Sequence, residues 1–190
     1  MLIIPLALAM IFVLIYIQFV SFPISLMIFS GIAIAWAGGF TMLWLYGTSW
    51  FMDFNLMGAN MRELFNIHPV NLSVTVWVGF LALFGIASDD AVIMATYIRE
   101  VFDRKKPVSV AEIRNHIVEG GKRRLRPCLM TTATTLFAFL PVLSATGKGS
   151  EIMIPMAIPV FGGMVFELIT MLAVPLLYCI MEEIKLRHFG

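Results

Sequence analysis

No lysine or arginine occurs before Arg62, and apolar runs long enough to cross a lipid bilayer recur along the whole chain. A hydrocarbon core of about 30 Å needs roughly 20 apolar residues per helix. Five segments are candidates: residues 2–20, 24–46, 72–98, 128–145 and 152–180. Of the 190 residues 60% are hydrophobic and only 13% charged, whereas a soluble domain carries roughly 25% charged residues. One soluble core cannot hide so much apolar surface. The expected fold is therefore all-α, an integral membrane bundle of about five transmembrane helices.

The connections are as telling as the spans. Ser21-Phe22-Pro23 is too short for anything but a tight turn between antiparallel helices. Residues 47–71 are mixed, with Asp53, Arg62 and Glu63, and their 55–65 portion suits a short interfacial helix carrying Leu56, Met57, Met61 and Phe65 on one side. Residues 99–126 are polar. There, Ser109 and Glu112 have capping-box spacing, which predicts a surface helix through Ile113, Ile117 and Val118, stopped by Gly120-Gly121. The organisation expected is two spans over 1–46, a connection over 47–71, a third span over 72–98, a basic loop over 99–126, two spans over 127–180 and a tail over 181–190.

Lysine and arginine placement sets the orientation. The 99–126 loop holds nine of them and the tail adds Lys185 and Arg187, against Arg62 and Lys148 on the other side. The loop and the C-terminus are thus expected in the cytoplasm, and 47–71 in the periplasm. Met1 then falls outside without a cleavable signal, so the chain reads as the end of a longer one. Cys128 and Cys179 lie in apolar segments and read as free thiols.

Three acids interrupt the apolar runs: Asp89, Asp90 and Glu167. An acid at the bilayer centre costs about 2.5–3.5 kcal/mol on insertion scales, so such residues carry protons or ions, or pair with buried cations. Asp89 and Asp90 point about 100° apart on a helix. Asp89 shares its row with small Ala82 and Gly85 and with Thr96, Ile93 being the bulky exception, and is expected in a tight interhelical seam where it binds and releases a proton. Asp90 shares a bulky row, and both a functional and a merely buried role stay open for it. Glu167 is a lone carboxyl that one neighbouring hydroxyl could satisfy. Thr131, Thr132, Thr134 and Thr135 place hydroxyls at the start of the fourth span, where they can relay protons or bond to their own backbone. Arg124, one heptad before Thr131, anchors the positive side on the simplest reading. Fourteen methionines suit soft metals such as Cu(I), although methionine is ordinary packing in lipid. His68 and His116 lack a second ligand at metal-site spacing.

Several short motifs resemble one family in order: Gly85-Ile86-Ala87-Ser88-Asp89-Asp90-Ala91-Val92, Arg124-Leu125-Arg126-Pro127-Cys128-Leu129-Met130-Thr131-Thr132, Leu140-Pro141-Val142-Leu143, Gly147-Lys148-Gly149-Ser150-Glu151-Ile152-Met153, Gly162-Gly163-Met164 and Val174-Pro175. Together they are similar to the C-terminal membrane part of resistance–nodulation–division transporters, and to the copper/silver pumps of the heavy-metal branch in particular. The resemblance covers roughly residues 72–180. It implies the last five helices of a half-transporter, beginning just after a large periplasmic domain. By position it makes Asp89 an ionisable relay residue, with Arg124 and Thr131 as relay arginine and threonine. Met153 matches a methionine on the metal path. Cys128 stands where the copper pumps have a relay lysine. The adjacent Asp89-Asp90 also resembles the aspartate pair of the N-terminal half, as pseudo-symmetric repeats would.

The resemblance implies an inner-membrane proton/metal antiporter exporting Cu(I) or Ag(I), with zinc-class ions as the further candidates and no resident cofactor, that works as a homotrimer with a periplasmic adaptor and an outer-membrane channel. Its surroundings are lipid, not nucleic acid. The proton relay would be Asp89, Asp90, Arg124 and Thr131. The fragment alone is expected to transport nothing. A multidrug pump of the same superfamily is the near rival. An intramembrane aspartyl protease needs two converging carboxyls, whereas adjacent aspartates on one helix diverge. A scaffold without transport is the third alternative.

Overall fold

A computed structural model describes residues 3–56, 59–104 and 110–189. The first apolar runs form α1 (Ile3–Phe19) and α2 (Phe22–Gly47), joined through Val20 and Ser21 alone. So short a reversal forces Val20 to a φ of +49°, a conformation that β-branched residues avoid. The turn is held from outside: Arg99 donates from Nη1 to the Phe19 carbonyl at 2.9 Å. Pro23, in the first turn of α2, needs no amide partner there.

Past α2, Arg62 donates to the Thr48 and Ser49 carbonyls at 3.0 and 2.7 Å. The 55–65 portion is not one interfacial helix. β1 (Asn55–Leu56) pairs antiparallel with β2 (Ala59–Asn60), and α3 is the single turn Met61–Leu64. The break has a local cause: Asn60 acts as N-cap, its Oδ1 accepting from the Arg62 amide at 2.9 Å, and asparagine favours caps over helix interiors. Met57 lies outside the described residues.

Three long helices follow: α4 (Val74–Arg104), α5 (Val110–Leu143) and α6 (Ser150–Phe189). Their 31, 34 and 40 residues span about 46, 51 and 60 Å at 1.5 Å per residue, so each outruns a hydrocarbon layer of about 30 Å. α2, α4, α5 and α6 are long and apolar enough to cross a membrane, and α1 is a shorter apolar helix. The fold is an all-α helical bundle.

The basic segment departs from expectation. α5 runs unbroken through Gly120-Gly121 and Pro127. A glycine stop needs a positive φ, which among the described glycines only Gly147 and Gly149 adopt. Gly120 serves packing instead: a Cβ there would meet the Ile98 backbone of α4 at 3.4 Å. Ser109, the expected cap, lies outside the described residues.

α6 is the central element, packed on α2, α4 and α5. It runs antiparallel to α2, with Gly31 against Thr170 and Gly38 against Phe166, and parallel to α4, with Gly79 at Met156 and Leu83 at Gly163. A Cβ on Gly38 would sit 2.6 Å from the Phe166 side chain. Helices this close in lipid hold by van der Waals packing of small residues. Phe80, Phe84, Ile32 and Met164 fill the middle, with the Phe40 and Phe80 rings 4.7 Å apart.

Candidate functional site

The two aspartates of α4 occupy different worlds. Asp89 is exposed and lines a groove of about 280 Å³ between α1 and α4, with Ile11, Leu14, Ile15, Gln18, Gly85 and Ser88. The expected tight seam is absent on this face: a Cβ on Gly85 would meet nothing within 4 Å. The close contacts of α4 are made instead by Gly79 against α6 and by Ile98 against Gly120, so small size along the Asp89 row does not mark an internal interface of this chain.

Asp90, half-buried, points inward. Its carboxyl lies against the Cys128 thiol of α5, and the Arg124 guanidinium is near enough for both to feel its charge. Cys128 is fully buried. Arg124 precedes it by one helical turn and sits over the Tyr97 ring, 5.7 Å from the ring centre, in cation–π range. Its Nε is buried and has no hydrogen-bond partner among the described residues.

Glu167 of α6 completes this interior cluster. It is 1% exposed, neither carboxyl oxygen has a hydrogen-bond partner among the described residues, and the charges it feels are those of Asp90 and, less strongly, Asp89. The hydroxyl that could have satisfied it does not: Thr170 donates to the Glu167 main-chain carbonyl at 2.8 Å. Thr132, also buried, donates to the Cys128 carbonyl.

Of the residues singled out from sequence, Asp90 and Arg124 are half-buried on facing helices with Asp90 within reach of the Arg124 charge, Asp89 faces the groove, and Thr131 is exposed. The Thr131 hydroxyl donates to the Pro127 carbonyl at 2.8 Å, a local bond of the kind Ser and Thr make in helices. Met153 is 46% exposed near the start of α6, 14 residues and so about 21 Å of helix axis from Glu167. Among the described residues no three His, Cys, Asp or Glu side chains gather where they could hold a metal ion. Cys128 and Glu167 are the members of the cluster that sequence left without a task. Polarity in the middle of apolar runs marks both in the sequence, but the rotation that brings them together does not show there.

The cluster therefore spans three helices and contains two carboxyls, a thiol and a guanidinium, with an outer carboxyl one residue away on an open face. Such a set can store and pass a proton. It lacks the convergent carboxyl pair around a cleft that peptide hydrolysis requires.

A profile described as the AcrB/AcrD/AcrF family matches residues 56–182. The chain is 31% identical over 177 residues to the cobalt-zinc-cadmium resistance protein CzcA of Cupriavidus metallidurans, which covers 93% of this chain and 14% of that protein. It is 30% identical over 187 residues to the cation efflux system protein CusA of Escherichia coli, covering 95% and 16%. The multidrug resistance protein MdtC of Cronobacter sakazakii is 32% identical over 116 residues, covering 60% and 11%. The chain thus spans about one seventh of the length of the cation efflux relatives.

Proposed function

The chain belongs to the AcrB/AcrD/AcrF family of resistance–nodulation–division efflux transporters, and from that premise we propose that it is membrane machinery of a proton/heavy-metal antiporter, with Cu(I) or Ag(I) as cargo. The observation that carries the reading is the acid pair on α4, one carboxyl on an open face and its neighbour tied into a buried polar cluster. Ionisable groups persist at this depth where they move protons or ions. Asp89, accessible from the groove, is the coupling acid: its protonation state changes what it attracts across the open face. Asp90 and Arg124 transmit that change to α5 and α6. Thr131 hydrates the path at most, since its hydroxyl bonds its own backbone.

Heavy metal is favoured over drugs by the breadth of likeness: the cation efflux relatives match 93–95% of the chain, the multidrug relative 60%. A soft monovalent ion is favoured by Met153, which presents its thioether at the surface of α6 instead of burying it. In this reading the complete pump is an inner-membrane homotrimer with its C-terminus in the cytoplasm, joined to a periplasmic adaptor and an outer-membrane channel.

The test is metal tolerance of cells whose pump carries Asp89→Asn, across copper, silver, zinc and a dye panel. Loss of copper and silver tolerance at normal protein levels is the expected result. Tolerance equal to wild type would remove Asp89 from the proton path, and loss of dye tolerance alone would move the pump to the multidrug class.

A further inference from the structure

A second groove opens between α4 and α5 at the basic end of the bundle, starting two helical turns past Asp90. Tyr97, Glu100, Val101 and Arg104 bring one face of α4 to it, and Glu119 and Arg123 bring one face of α5. Its volume of about 460 Å³ falls within the range of about 300–1,000 Å³ that small-ligand clefts occupy. Each arginine is clipped to a glutamate on its own helix, Arg104 to Glu100 at 2.6 Å and Arg123 to Glu119 at 3.3 Å, and both arginines are more than half exposed. Among the described residues no ion pair crosses the groove from α4 to α5.

Helix length places this groove at the edge of the hydrocarbon. The uncharged stretch of α5 after Arg126, Pro127–Leu143, has 17 residues, about 26 Å of axis at 1.5 Å per residue. That is short of a layer of about 30 Å, so with Leu143 at one boundary the other falls near Arg124, and Arg123 reaches the headgroups. On α4, Arg99 is the first basic residue, and Tyr97 lies just inside it, at the level tyrosine favours. From Gly120 to Arg126 there are four basic residues and no acid. Arg124 lies over the Tyr97 ring; Asp90 feels its charge, but no carboxylate among the described residues comes within 4.0 Å of it. Each groove arginine gives its glutamate one hydrogen bond out of five N–H donors, which leaves donors for an anion. Seven and fourteen residues beyond Arg123, on the same face of α5, Met130 and Phe137 are 74% and 70% exposed, an apolar track leading into the layer.

We propose that this groove binds an anionic phospholipid on the basic side of the membrane. Arg104 and Arg123 donate to the oxygens of its phosphodiester from opposite helices, Tyr97 flanks the headgroup, and an acyl chain follows Met130 and Phe137. The lipid thereby supplies the ionic bridge between α4 and α5 that the protein's own pairs do not make. Exposed pairs four residues apart on a helix hold weakly, so Glu100 and Glu119 aim the arginines without locking them away from a phosphate. Inorganic phosphate offers the same oxygens but no chain for the apolar track. Nothing in this depends on which ion the pump carries.

Native mass spectrometry of the 190-residue chain, released from micelles titrated with phosphatidylglycerol or phosphatidylcholine, counts the lipids bound to each chain. Wild type is expected to bind its first phosphatidylglycerol more tightly than its first phosphatidylcholine. Arg104→Gln and Arg123→Gln are each expected to weaken that first phosphatidylglycerol by about fivefold, the factor one basic residue carries at an anionic surface. Lys122→Gln, which removes the same charge from outside the groove, is expected to leave it unchanged, as is an excess of soluble glycerophosphate. Equal binding of the two lipids by wild type overturns the proposal, and this arm needs no variant to fold. An equal loss in Lys122→Gln also overturns it, since the attraction would then belong to the whole basic surface. Full displacement by glycerophosphate would make the groove a phosphate site and overturn the lipid assignment.

Discussion

Asp89 and Asp90 differ by one position and about 100° of helical rotation, and that rotation separates a groove from a core. The separation sets different outcomes for neighbouring substitutions. Thr131→Val is expected to leave metal tolerance within about twofold of wild type, because the hydroxyl only back-bonds to Pro127. A dose–response curve on silver checks this, and a loss as deep as that of Asp89→Asn would return Thr131 to the relay. Sequence showed which residues are polar at membrane depth but not where they point. The small row of Asp89 predicts a seam, yet in this chain that row meets no helix at Gly85. Glu167 and Cys128 stand out in the sequence but carry no assigned role there, for a related reason: their meeting depends on how α5 and α6 are rotated about their axes, which no local pattern encodes.

At the scale of helices the glycines make the sharpest statements. Gly121 is inside α5 with nothing within 4 Å of an added Cβ, so Gly121→Ala is expected to stabilise the chain by about 0.5–1 kcal/mol through helix propensity. Were it the helix stop that Gly120-Gly121 suggests in sequence, alanine would destabilise instead, and reversible unfolding in mixed micelles tells the two apart. Gly38→Leu has the opposite sign: its side chain would collide with Phe166 and the Gly162 carbonyl, and forcing α2 off α6 is expected to cost about 1–3 kcal/mol. The same unfolding measurement reads it. The five apolar runs were legible because each alone is long enough to be a helix. The end of the surface helix was not, because a glycine pair reads alike whether it closes a helix or lets another helix approach.

Across the whole molecule, lipid removes the clue that identifies cores in water. Lipid-facing and core-facing residues are both apolar, so the central place of α6 could not be read from its composition, although its length could. The outcome is a bundle with broad exposed apolar faces: Leu6, Met10 and Val13 on α1, and Met130 and Phe137 on α5, are each more than half exposed. A chain that spans about one seventh of its cation efflux relatives leaves the faces that other parts of such a pump would cover. Reconstituted alone in liposomes, it is expected to carry no proton-coupled silver flux, and a flux above empty liposomes would show that these helices suffice. In detergent the same faces are expected to drive self-association, which light scattering measures as a mass above that of one chain.

The bond from Arg99 to the Phe19 carbonyl joins residues 80 apart, and that distance is also an interval of time. At about 5–20 residues per second during synthesis, the α1–α2 hairpin waits some 4–16 s for the side chain that will fasten its turn. Through that interval the reversal at Val20, with its φ of +49° in the finished fold, has no arginine to hold it. The order of birth thus makes the hairpin a provisional structure, sealed only when α4 arrives with the charge that pins it.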